Sequence, residues 1–166
     1  MTLPWPRTIV RILLFICSAT LLVAQNDPDS WYRRGRNYSD LSNQAFQQLL
    51  KTAPESGYVL ALLGEVKAAD QQYTAALYAY NEAAKREPRL RGAHQGAAEI
   101  YAALGKADDE RQAREAEKKL GAPDCAVEKL YCAFSAGHYQ EVVRLAKLGA
   151  KPENYYWLSR AYNELA

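Results

Sequence analysis

Residues 57–90 read GYVLALLGEVKAADQQYTAALYAYNEAAKREPRL, and this stretch decides the fold. Leu60, Leu63 and Gly64 recur at helical spacing, and Ala76, Tyr80 and Ala83 repeat the pattern further on. The spacing predicts two amphipathic helices that pack face to face. Antiparallel helices approach closely only where small side chains meet, so Gly64 and Ala76 mark the crossing, while Leu60, Leu63 and Tyr80 fill the space on either side. Pro88 then ends the second helix, because it cannot continue the backbone ladder.

The unit has a period. Pro54, Pro88 and Pro123 are separated by 34 and 35 residues, and a constant period of about 20–50 residues is the mark of a repeat architecture. Taken together, Leu60, Leu63, Gly64, Ala76, Tyr80, Ala83 and Pro88 resemble the tetratricopeptide repeat, whose pattern is a large residue, Leu-Gly, an aromatic, a small Ala, an aromatic, Ala and a closing Pro. Lys67 departs from it where the family prefers Tyr, leaving Tyr73 or its neighbours to supply bulk. One period later His94, Ala97, Ala98 and Tyr101 form a matching first helix, with Gly105 at the turn and Pro123 closing the unit. Its second helix, Asp108 to Leu120, has Glu110 and Arg114 where small and aromatic residues belong. We read it as a solvated helix held by pairs such as Glu110 with Arg114 and Glu115 with Lys119.

Upstream, Trp31, Gly35, Tyr38, Ser42, Ala45 and Leu49 follow one another at steps of three and four. One continuous helix from about Ser30 to Thr52 accounts for the stripe better than a two-helix repeat broken near Ser39, which is too short for the period; Asp29 or Ser30 is available as its cap. Downstream, Asp124 to Ala136 and Tyr139 to Leu148 form a loosely repeat-like pair turned by Gly137 and His138. Tyr155 to Ala166 then aligns with Trp31 to Ser42, with aromatics at both ends and Arg and Leu in step. The chain reads as a larger unit begun again and stopped inside a helix, a fragment or truncated frame of a longer repeat protein. The expected division is a signal peptide over 1–24, a long helix over 25–54, two repeats over 55–122, and over 123–166 a degenerate helical pair with the start of a further helix.

The first segment reads as an address. Arg7 and Arg11 precede the apolar run Ile12 to Ala24, which gives way to the polar stretch 25–30, the arrangement of a signal peptide cut near Ala24. The run is shorter than the roughly 20 residues a spanning helix needs. We therefore expect an exported protein, periplasmic or secreted, with no membrane span once mature and a membrane anchor only if uncleaved. Phe15-Ile16 before Cys17 do not match a lipobox. Cys125 and Cys132 invite a disulfide in an oxidising compartment. Seven residues of helix rise by roughly 10.5 Å, beyond the roughly 7 Å reach of a bridge, so bonding requires Cys125 to leave the helix in the turn after Pro123.

Composition excludes several functions. With 49% hydrophobic and 24% charged residues the chain is that of a folded protein. Without Arg7 and Arg11 it carries as many bases as acids, so no excess of positive charge is available for nucleic acid. Nucleophile elbow, zinc-binding His pair, phosphate loop and Cys-x-x-Cys motifs are missing, and we expect no catalytic residue, cofactor or metal. His94 reads as core-facing and His138 as a turn residue. Glu65 and Glu99, one period apart, lie on a face too open to split a carboxylate pair into acid and base. Twelve tyrosines and three tryptophans hint at carbohydrate binding, but in helical repeats aromatic side chains mostly pack the core.

The resemblance implies an α-solenoid, antiparallel helix pairs stacked into a right-handed superhelix whose concave wall of first helices holds a partner's peptide or helix. Carried onto this chain, that wall presents Tyr58, Leu62 and Glu65 from the first repeat and Gln95 and Glu99 from the second, with Tyr32 and Arg36 extending it from the long helix. The Lys and Asn clamp by which some family members hold a terminal carboxylate is missing. Two functions compete: a non-enzymatic protein-interaction scaffold, and a structural piece that packs on further repeats or on its own copies through apolar surface at Tyr155, Trp157, Leu158 and Tyr162.

Overall fold

The computed structural model describes residues 28–147 and 149–166. The expected signal segment, with Arg7, Arg11 and Cys17, lies outside the described residues. Among the described residues there are eight helices and no strand: α1 (Pro28–Thr52), α2 (Gly57–Ala69), α3 (Tyr73–Arg86), α4 (Ala93–Ala103), α5 (Ala107–Lys118), α6 (Lys129–Ser135), α7 (Tyr139–Ala146) and α8 (Pro152–Leu165). The architecture is all-α. No helix among them is long and apolar enough to cross a membrane.

Local chemistry sets the boundaries. The Ser56 hydroxyl accepts the Val59 N–H at the start of α2, satisfying one of the orphan donors of the first turn. Lys85 and Arg86 close α3, where cations suit the negative end of the helix dipole, and Pro88 follows. Gly92 adopts φ 92° before α4, a left-handed conformation that favours glycine. With no side chain there, the cap comes from α5: Glu117 accepts the N–H groups of Gly92 (2.9 Å) and Gln95 (3.3 Å). Otherwise α5 buries no residue, and Glu110 pairs with Arg114 at 2.8 Å.

The α2–α3 crossing forms around Tyr80. Its ring lies between α2 and α4, so close that a Cβ on Gly64 would stand 2.9 Å from the ring and one on Gly96 2.5 Å. Tyr80, Ala76, Ala97 and Ile100 make one apolar cluster, against which Tyr73 packs. A larger cluster joins Leu49, Val59, Leu62, Leu90, Val142 and Trp157, drawing on α1, α2, α7 and α8. Buried Arg91 ties this core to the loop before α6 through Glu128 and the Gly121 carbonyl. Cys125 lies in the turn before α6, its Cα 5.7 Å from that of Cys132, and the two are disulfide-bonded. The bond is possible because Cys125 is off the helix.

The placement of α8 departs from expectation. It lies along α1, far more than α2 does, and reaches across to α2. Ser42 donates to the Ser159 carbonyl (2.9 Å), Tyr38 stacks on Tyr162 (6.2 Å between centroids), and Gly35 touches the Ala166 backbone, so α1 and α8 are antiparallel. These are the two segments that resemble each other in sequence. In their alignment Tyr162 is the equivalent of Tyr38, Ser159 of Gly35 and Ala166 of Ser42. Each contact is therefore mirrored by its equivalent, as at an isologous interface. Consequently Trp157, Leu158 and Tyr162 do not form the free apolar surface expected of them: they are buried against α1, α6 and α7, and Tyr155 is half-buried. The observation behind a self-associating role is thereby removed.

Candidate functional site

Three helices meet at a cleft of about 300 Å³. Ser42, Asn43 and Phe46 line it from α1; Leu62, Glu65, Val66 and Ala69 line it from α2, with Asp70 at the helix end; Ser159 and Asn163 line it from α8. Phe46, Leu62, Val66 and Ala69 give an apolar wall, with Val66 53% exposed. Ser42, Asn43, Glu65, Asp70, Ser159 and Asn163 add polar groups to the lining.

Arg160 organises one side. Its Nε pairs with Glu65 at 2.9 Å, it donates to the Tyr156 hydroxyl (3.2 Å), and its guanidinium lies 4.5 Å from the centroid of Phe134 and 5.3 Å from that of Trp157. Cation–π contact and packing hold this side chain where solvent would otherwise take it. Desolvation raises the Glu65 carboxyl above its ordinary range; Arg160 opposes the shift, and Glu164 and Glu99 add to it. Burial likewise pushes the Tyr58, Tyr80 and Tyr156 phenols upward.

The expected wall of partner-binding residues is not one free surface. Leu62 is buried, and Glu65 is paired with Arg160 while remaining 33% exposed; both line the cleft. Tyr58 lies against Tyr156 (5.4 Å between centroids), at a separate crevice with Arg91, Glu128 and Trp157. The physical cause is that α8 packs on the face of α2 that carries Tyr58 and Glu65. Gln95 donates to Glu99 (2.8 Å) and accepts from Arg114, so these residues form a polar cluster on α4 and α5. Tyr32 and Arg36 stay exposed near the start of α1, the guanidinium 5.8 Å from the ring centroid.

Sequence reasoning missed Arg160, Asn43, Val66, Asp70 and Asn163. Only Asp70 carried a signal: it caps the carboxyl end of α2, where the dipole disfavours an acid. The chain matches no protein-family model, and no curated protein matches it.

Proposed function

We propose that this protein is a non-enzymatic interaction scaffold, exported from the cell, whose helix pairs follow the tetratricopeptide arrangement of an antiparallel solenoid. One observation carries the reading: the α1–α2–α8 cleft, lined by both apolar and polar side chains and built on three helices. Its volume suits one long side chain of a partner better than a large ligand. The Cys125–Cys132 disulfide supports export, since such bonds persist in oxidising compartments. Helix-on-helix support at Ser42–Ser159 and Glu65–Arg160 preorganises the cleft, which lowers the ordering cost of binding.

A photo-cross-linking residue at exposed Val66 tests this, with the same residue at Tyr78, 68% exposed and away from the cleft, as control. A defined protein captured from Val66 and not from Tyr78 supports the scaffold. Equal capture from both, or from neither, refutes it.

A further inference from the structure

We infer that the cleft binds a Lys or Arg side chain presented by a segment of the partner protein, its aliphatic stem on Leu62 and Val66 and its cationic tip between Glu65 and Asp70. This rests on the scaffold reading and names the chemistry of its ligand.

The polarity of the helices supplies the first argument. Tyr58 meets Tyr156, and further along both helices Glu65 meets Arg160, so α2 and α8 run in the same sense. Both therefore end at the same side of the cleft, where Ala69, Asp70 and Asn163 lie. Each carboxyl end carries roughly half a negative charge, so two of them together favour a cation.

The side chains point the same way. Asp70 makes no hydrogen bond or ion pair through its carboxylate among the described residues, and Glu164 stands in the last turn of α8, which holds no basic residue. Both positions oppose the dipole of their own helix and contribute nothing to it. Glu99 adds to the field from α4, a helix without Lys or Arg. Against these acids no Lys or Arg stands among the described residues that line the cleft: Lys67 in the last turn of α2 donates to Gln72 (2.9 Å), and Arg160 beside the cleft is committed to Glu65 and three aromatic rings. A cation supplied by the partner balances the acids of the lining. The apolar wall behind the acids suits a long aliphatic stem with a charged tip, which is the amphipathic shape of Lys and Arg.

The test is nitrogen-15 NMR titration of the full chain with three blocked peptides, Gly-Ser-Ala-Leu-Xaa-Leu-Ala-Ser-Gly with Lys, Gln or Glu at the centre, and with n-butylamine. The expected result is that the Lys peptide shifts the Val66, Ala69 and Asn163 amides, and that its affinity falls about tenfold in Asp70→Asn and weakens with salt. Asp70 is an exposed cap residue, so this variant keeps its fold, which an unchanged urea midpoint verifies. Equal or tighter cleft binding of the Gln or Glu peptide overturns the cationic assignment and leaves the scaffold standing. Butylamine binding as tightly as the Lys peptide overturns the protein partner in favour of a small amine. No cleft shift with any probe overturns the inference, while the Val66 cross-link separately decides the scaffold.

Discussion

Replacing Gly96 by Ala should destabilise this protein, although the same change in an isolated helix would stabilise it. Ala is favoured over Gly in a helix interior by about 1 kcal/mol. At this position, however, the added Cβ would stand 2.5 Å from Cζ of Tyr80 and 2.7 Å from its Cε1, where carbon atoms prefer about 3.5–4.0 Å. The ring cannot retreat, because Gly64 of α2 approaches it so closely that a Cβ there would lie 2.9 Å away. With a contact of 2.5 Å the clash falls in the upper part of the overpacking range, about 2–3 kcal/mol, so the net loss after the propensity gain is about 1–2 kcal/mol. Urea unfolding followed by circular dichroism measures it. A Tyr80→Leu background supplies the decisive comparison, since without the ring Gly96→Ala should become stabilising by about 1 kcal/mol, a coupling of about 2–3 kcal/mol. A Gly96→Ala protein as stable as the parent, or equal effects in the two backgrounds, would refute the placement of Tyr80 between the two helices.

Other consequences can be measured on the same material. Reducing the Cys125–Cys132 bond, which spans seven residues, should lower stability by about 2 kcal/mol through the freed loop, and a urea midpoint indifferent to reductant would contradict it. Glu117→Gln should cost about 1 kcal/mol and speed hydrogen exchange at the Gly92 and Gln95 amides, whereas Glu115→Gln, on the exposed side of the same helix, should do neither. Stability should depend on pH with opposite signs at two carboxyls. The Arg91 hydrogen bond holds Glu128 below its ordinary range, so its contribution is present above the ordinary carboxyl pKa and lost as pH falls through the lowered value. Desolvation raises Glu65, so the folded state keeps that proton longer than the unfolded chain, and stability falls as pH rises from the ordinary carboxyl pKa through the raised value. Unfolding midpoints across that upper window should flatten in Glu65→Gln; an unchanged slope would exclude Glu65 as its source.

Part of this molecule was legible before any coordinates. The helices over 57–69 and 73–86, the bulk of Tyr80 and the stop at Pro88 are local statements, because helical spacing and chain breakers act within a few residues of themselves. The Glu110–Arg114 pair is legible for the same reason, lying one turn apart on one helix. The capping of α4 by Glu117 was not, since a carboxylate in a charged run looks solvated until the helix that lacks a cap is brought beside it. Nor was the second small contact on Tyr80, from Gly96, which depends on where α4 comes to rest.

The candidate site divides along the same line. Leu62 and Glu65 were picked out from their positions on the first repeat helix, and both line the cleft. The sequence also displayed the likeness of Trp31 to Ser42 with Tyr155 to Ala166. Likeness does not say that two segments touch, and nothing local indicates that they pair with Tyr38 against Tyr162. That pairing draws α8 over α2, seals Trp157 and Leu158 into the core, sets Arg160 on Glu65 and leaves a cleft in place of an open wall. Helical periodicity determines by itself where the helices lie and which apolar residues they offer for burial. Which buried stripe meets which is a choice among long-range contacts of similar chemistry, and only the assembled tertiary structure makes it.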